Sequence, residues 1–133
     1  MLIKYNPDYM RRDQILGLNS NIWEDDIFGK VVHLDSISLP VLESLLEEKF
    51  ISLDERQNNS PTVEQFMNFM RKHPAALARG YAVSPYRRDY RITIVGLFVE
   101  HDQVTLDMWA DFHELCQDAD EFEADYDLYS WWD

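Results

Sequence analysis

ITIVGLFVEHDQVTLDMWADFHELCQDADEFEADYDLYSWWD, residues 92–133, is the stretch on which the fold turns. It opens inside a run, 91–99, that is apolar after Arg91 and reads as a strand. Ile92, Ile94 and Phe98 alternate there with Thr93, Val95, Leu97 and Val99, so both faces look apolar and a strand covered on both sides is expected. Glu100-His101-Asp102-Gln103 then turns the chain into a helix over about 105–119. Met108, Trp109, Phe112, Leu115, Cys116 and Ala119 form its apolar stripe, and Asp107, Asp111, Glu114 and Asp118 fall on the opposite side. From Glu121 the pattern changes to period two. Phe122, Ala124, Tyr126, Leu128, Ser130 and Trp132 share one parity; Glu121, Glu123, Asp125, Asp127, Tyr129, Trp131 and Asp133 share the other. A single strand would line four carboxylates along one face, about 6–7 Å apart. A hairpin centred on Ala124-Asp125 is the alternative.

Working backwards, residues 77–84 read as a partner strand, joined to the first by Pro85-Tyr86-Arg87-Arg88-Asp89-Tyr90. Gly80 and Gly96 interrupt the two strands once each, as a bulge or a close backbone approach requires. Before them, Val63, Phe66, Met67 and Met70 are spaced as the core stripe of a helix that Pro74 ends. Its start is either Ser60 with Pro61 at the first position, or Thr62 with Gln65 completing a capping box. Residues 38–50 give another helix, with Ser38 as N-cap, Pro40 in the first turn, and Val41, Leu42, Leu45 and Leu46 on one side. The N-terminal third is less patterned. Leu2, Ile3 and Tyr5 begin a short strand that Asn6-Pro7-Asp8 stops, and Ile15, Leu16 and Leu18 suggest a helical turn. Ile22-Trp23 and Ile27-Phe28 flank acidic Glu24-Asp25-Asp26, and residues 30–34 read as a buried strand with His33 as a packed histidine. The expected fold is α+β: a single domain over 1–133, two or three helices packed against an antiparallel sheet of about four strands.

The charge is one-sided. Residues 92–133 hold 12 of the chain's 25 acids and none of its 12 Lys or Arg, hence −12 of the net −13. That balance disfavours direct binding to nucleic acid or to an anionic membrane and favours a basic partner. Neither a signal peptide nor a membrane span is evident, and one cysteine permits no internal disulfide, so a cytoplasmic setting is expected.

Catalytic signatures are not apparent: GxSxG, P-loop, GxGxxG and HExxH are all missing, and the four histidines have no metal-ligand spacing. His113 and Cys116 are three apart on the last helix, but Cys116 belongs to its apolar stripe and reads as inert. No EF-hand loop fits the acidic end, so no metal or other cofactor is expected. The sequence therefore points to a non-enzymatic binding or inhibitory surface made of Asp107, Asp111, Glu114, Asp118, Glu121, Glu123, Asp125 and Asp127, with Tyr129 and Trp131 as aromatic anchors. A nuclease-type toxin is an example of a suitable basic partner, because carboxylate rows imitate phosphates. The alternative is a small enzyme or ligand-binding domain using the basic loop Arg87, Arg88 and Arg91 to hold an anion. That loop is otherwise expected to clamp the acidic end.

The runs DERQNNSPTVEQFMNFM (54–70) and GYAVSPYRRDYRITIVG (80–96), with the WWD ending, resemble a family of small acidic bacterial proteins without an assigned activity. The overall cast, small, acidic and α+β, is similar in type to immunity proteins that neutralise bacterial toxins. That likeness implies inhibition of a partner and carries no site residues with it.

Overall fold

The computed structural model describes residues 5–24 and 29–133; the strand expected at Leu2 and Ile3, and the segment Asp25, Asp26, Ile27 and Phe28, lie outside them. Five antiparallel strands, β1 (Val31–Ile37), β2 (Leu77–Val83), β3 (Ile92–Val99), β4 (Glu121–Glu123) and β5 (Leu128–Trp131), form one sheet in the order β1-β2-β3-β5-β4. The described α-helices are α1 (Tyr9–Leu16), α2 (Leu39–Glu47), α3 (Val63–Lys72) and α4 (Leu106–Cys116). The class is α+β as expected, with one more strand and at least one more helix than the sequence suggested.

The helices gather on one face of the sheet. Leu42, Leu45, Phe66, Met67, Met70, Met108 and Phe112 join Ile92, Ile94, Leu97, Val99, Leu128 and Trp132 in one hydrophobic cluster. The other face carries His33, Tyr81, Thr93, Phe98, Tyr129 and Trp131, with none of the described helices over it. Cross-strand pairs share a face in an antiparallel sheet, and His33 pairs with Tyr81, Tyr81 with Thr93, and Phe98 with Tyr129. His33 is therefore exposed on the open face, not packed in the core. Trp131 reaches across that face to stack on it, ring centres 5.7 Å apart.

The expectation that β3 is covered on both sides fails for a specific reason. Gly80 pairs with Ile94 but Arg79 pairs with Gly96, so Val95 is an extra residue and a bulge. The bulge switches parity: Ile92 and Ile94 before it and Leu97 and Val99 after it all face the helices. Gly96 then lets β5 approach. A Cβ there would lie 1.9 Å from the Ser130 carbonyl oxygen.

Local chemistry sets the helix limits. Of the two expected starts for α3, Thr62 is the cap: its side chain accepts from the Gln65 N–H, and Gln65 reaches back to the Thr62 N–H at 2.8 Å. Ser38 occupies the N-cap position of α2 without a side-chain bond. Gly17, left-handed at φ 73°, closes α1. The polar-looking α1 hides a buried network. Arg12 donates to Asp13 and to the Val83 carbonyl, and its guanidinium lies over Trp23 and Tyr90. Asp13 in turn accepts from Ser20 and from the Trp23 indole.

Candidate partner-binding surface

Thr105 starts α4 by accepting from the Met108 N–H at 3.2 Å, and Asp107 in the first turn complements the helix dipole. Met108, Phe112 and Cys116 are buried beneath the helix. Trp109, expected in that stripe, is instead exposed, because neighbours on a helix point about 100° apart and Met108 takes the inward direction. Phe112 stacks on Phe122 of β4 at 5.5 Å, which fixes α4 against the helix side of the hairpin. Asp107 and Glu114 are exposed on the helix, and Asp118 is exposed two residues beyond its end. Asp111 is different: it pairs with Lys72 at 2.8 Å and His73 at 2.7 Å. Hydrogen bonds from Lys72 and then His73 hold its carboxyl below the usual range.

The single strand expected over 121–133 is a hairpin, and its centre is Tyr126, not Ala124-Asp125. Glu121 pairs with Trp131, Phe122 with Ser130 and Glu123 with Tyr129. Glu121, Glu123, Tyr129 and Trp131 therefore lie together on the open face of the sheet. Asp125 is exposed in the connection; Asp127 there accepts from the His101 N–H at 2.8 Å. Ten residues expected to form one surface are thus divided: Asp107, Asp111, Glu114 and Asp118 on the helix side, Glu121, Glu123, Tyr129 and Trp131 on the sheet side. Asp125 and Asp127 sit at the turn.

Arg79 is a base that the open face places among its aromatics, as is Arg91 over the Tyr81 ring. Arg79 pairs with Asp35 at 3.1 Å and lies 4.9 Å above the Tyr129 ring. Burial raises the Tyr129 hydroxyl pKa, and nearby Glu121 adds to the rise.

The basic loop does not clamp the acidic end. Arg87 grips Asp89 with two bonds, at 2.8 and 2.7 Å, and Arg91 reaches the same carboxylate at 2.8 Å. Burial alone would raise the Asp89 pKa, but the bonds from Arg87 and Arg91 outweigh it and hold the carboxyl low. Both arginines are satisfied two residues away, at far less entropic cost than closing a loop to the acidic end. Arg88 is exposed. Tyr90 donates to the Asn6 carbonyl at 2.8 Å, and burial pushes its hydroxyl up to about 12. His101 lies at the other end of β3, roughly 25 Å from Tyr90 by strand rise, so no cleft gathers His101, Arg88 and Tyr90. Arg91 does border a cavity of about 220 Å3 together with Arg56 and Glu55.

Cys116 is fully buried, and that burial pushes its thiol up to about 12, so it is no nucleophile at neutral pH. Among the described residues, no group of three or more His, Cys, Asp or Glu is arranged to hold a metal ion, and no helix is long and apolar enough to cross a membrane. Comparison with protein-family models, curated proteins and solved structures finds no match to this chain.

Proposed function

We propose that the protein is a non-enzymatic binding or inhibitory module for a basic protein partner, immunity-protein-like in type and acting in the cytoplasm. One observation carries this reading. Asp107, Glu114, Asp118, Glu121, Glu123 and Asp125 are exposed, and none forms a salt bridge with a described residue. Four arginines are engaged away from these carboxylates, Arg87 and Arg91 on Asp89, Arg11 on Glu48 and Arg79 on Asp35, while Lys72 answers Asp111. Open carboxylates of one sign attract a cationic surface, screened over a Debye length of about 8 Å. A basic nuclease-type toxin has the complementary charge; nucleic acid and anionic lipid have the wrong sign.

Asp107→Asn, Glu114→Gln, Glu123→Gln and Asp125→Asn combined should reduce capture of a basic nuclease-type protein at least about tenfold at low salt. Capture by the neutralised variant equal to that by the native protein would sink the reading. The second reading, a small-ligand site, is supported by the cavity beside Arg91, where Glu55 has a buried carboxylate oxygen without a hydrogen bond. It would replace the first if a small zwitterion raised the melting temperature and Glu55→Gln removed the rise.

A further inference from the structure

Leu106 is 83% exposed, Tyr126 59% and Trp109 41%, three of the large apolar side chains that the fold leaves in solvent. Leu106 and Trp109 are three apart on α4 and therefore neighbours on its surface. With Val104 and Thr105 they line a shallow concavity of about 400 Å3. Tyr126 is tied in alongside. The Trp109 indole donates to the Ala124 carbonyl at 3.2 Å, and Ala124 precedes Tyr126 by two residues.

The rings are exposed but fixed. Trp109 packs against His113 with centres 3.9 Å apart and the rings tilted by 40°. Tyr126 stacks on His101 at the same 3.9 Å, and its hydroxyl is 2.9 Å from His101 Nε2. Asp127 holds that histidine from the other side, 3.2 Å from Nδ1. Aromatic groups held in place lose little conformational freedom on binding, which is the property of an interface anchor. Exposed Asp102 and Asp107 flank the lining segment 104–106 in the chain, and Asp125 follows Ala124, whose carbonyl the Trp109 indole binds, so the negative charge is local.

We infer that this notch is the anchoring point for the basic partner, taking one apolar side chain that the partner presents between lysines or arginines. The inference rests on the binding-module reading above and adds where affinity resides. A second copy of this chain does not fit, because a two-fold contact would set the same aspartates against themselves. An anionic lipid surface is repelled in the same way. A cationic protein element with an apolar tip satisfies both the concavity and the local charge. Charge then governs the rate of encounter and the notch governs the rate of escape.

The test uses two synthetic peptides of equal length and charge, one alternating lysine with leucine and one alternating lysine with serine. The full-length protein should hold the lysine–leucine peptide about tenfold more tightly, a difference of about 1.4 kcal/mol, through slower dissociation. Among the four tryptophan indole N–H signals, that of Trp109 should shift most on adding it. Leu106→Ser should remove the preference while leaving the fold intact, since this side chain is almost wholly in solvent. Equal affinity for the two peptides, or an unchanged preference in Leu106→Ser, overturns the notch. If the peptides bind equally but Asp107→Asn with Asp125→Asn weakens both, the notch falls and the acidic-surface reading stands. If neither peptide binds, both fall.

Discussion

Arg11 and Arg12 are adjacent and identical, yet one is exposed on Glu48 and the other is buried on Asp13. Nothing in a run of polar letters separates them. The distinction arises because Trp23 and Tyr90, distant in sequence, close around Arg12 and leave its charge, among the described residues, only Asp13 as an anionic partner. Removing one member of so dry a pair strands the other. Asp13→Ala should therefore lower stability by about 3–5 kcal/mol, read from urea unfolding. Asp111 tests a more exposed tie. Its carboxyl titrates lower in the folded chain than in the unfolded one, so its contribution is full above the usual value of 3.8. The contribution is lost as pH falls through the folded value, which lies below 3.8. Asp111→Asn should accordingly flatten the fall of the unfolding midpoint in acid, and an unchanged pH profile would show that the contact with Lys72 and His73 carries nothing.

At the level of elements, two helix starts were legible to within two residues, because a cap is a local contract: Ser38 stands at the start of α2, and Thr62 and Gln65 satisfy each other's backbone at the start of α3. The choice between a straight strand and a hairpin, and the hairpin's centre, were not legible. Residues paired in the hairpin, such as Glu121 with Trp131 and Glu123 with Tyr129, have the same parity, so the alternation runs through the turn unbroken. A hairpin and a straight strand then give the same pattern, and no Asn-Gly or Asp-Gly marks the reversal. The bulge at Val95 misled in a related way, since one extra residue makes a half-covered strand look apolar all round. Gly96 couples the two elements. A methyl group there must displace β5, so Gly96→Ala should cost about 3 kcal/mol. Hydrogen exchange should locate the damage at the Trp132 amide, whose bond to the Val95 carbonyl is 2.8 Å.

For the molecule as a whole, the sign and position of the charge were plain from the sequence, and its division between two faces was not, because that depends on the hairpin. With −12 of the net −13 in residues 92–133, self-repulsion opposes folding of that end. Moderate salt screens it, and the melting temperature should rise by about 3 °C between low and moderate ionic strength. A fall would mean that the few ion pairs outweigh the repulsion. The same arrangement has a bearing on what the sheet can do to itself. Its outer strands are β1, whose register breaks between Leu34 and Ile37, and β4, three residues long with Glu121 and Glu123 on the open face. An irregular edge on one side and a short, carboxylate-bearing edge on the other give a neighbouring chain no template on which to add a strand. Strand addition at the β4 edge is therefore disfavoured, because a second copy pairing there would bring its own Glu121 and Glu123 against these two.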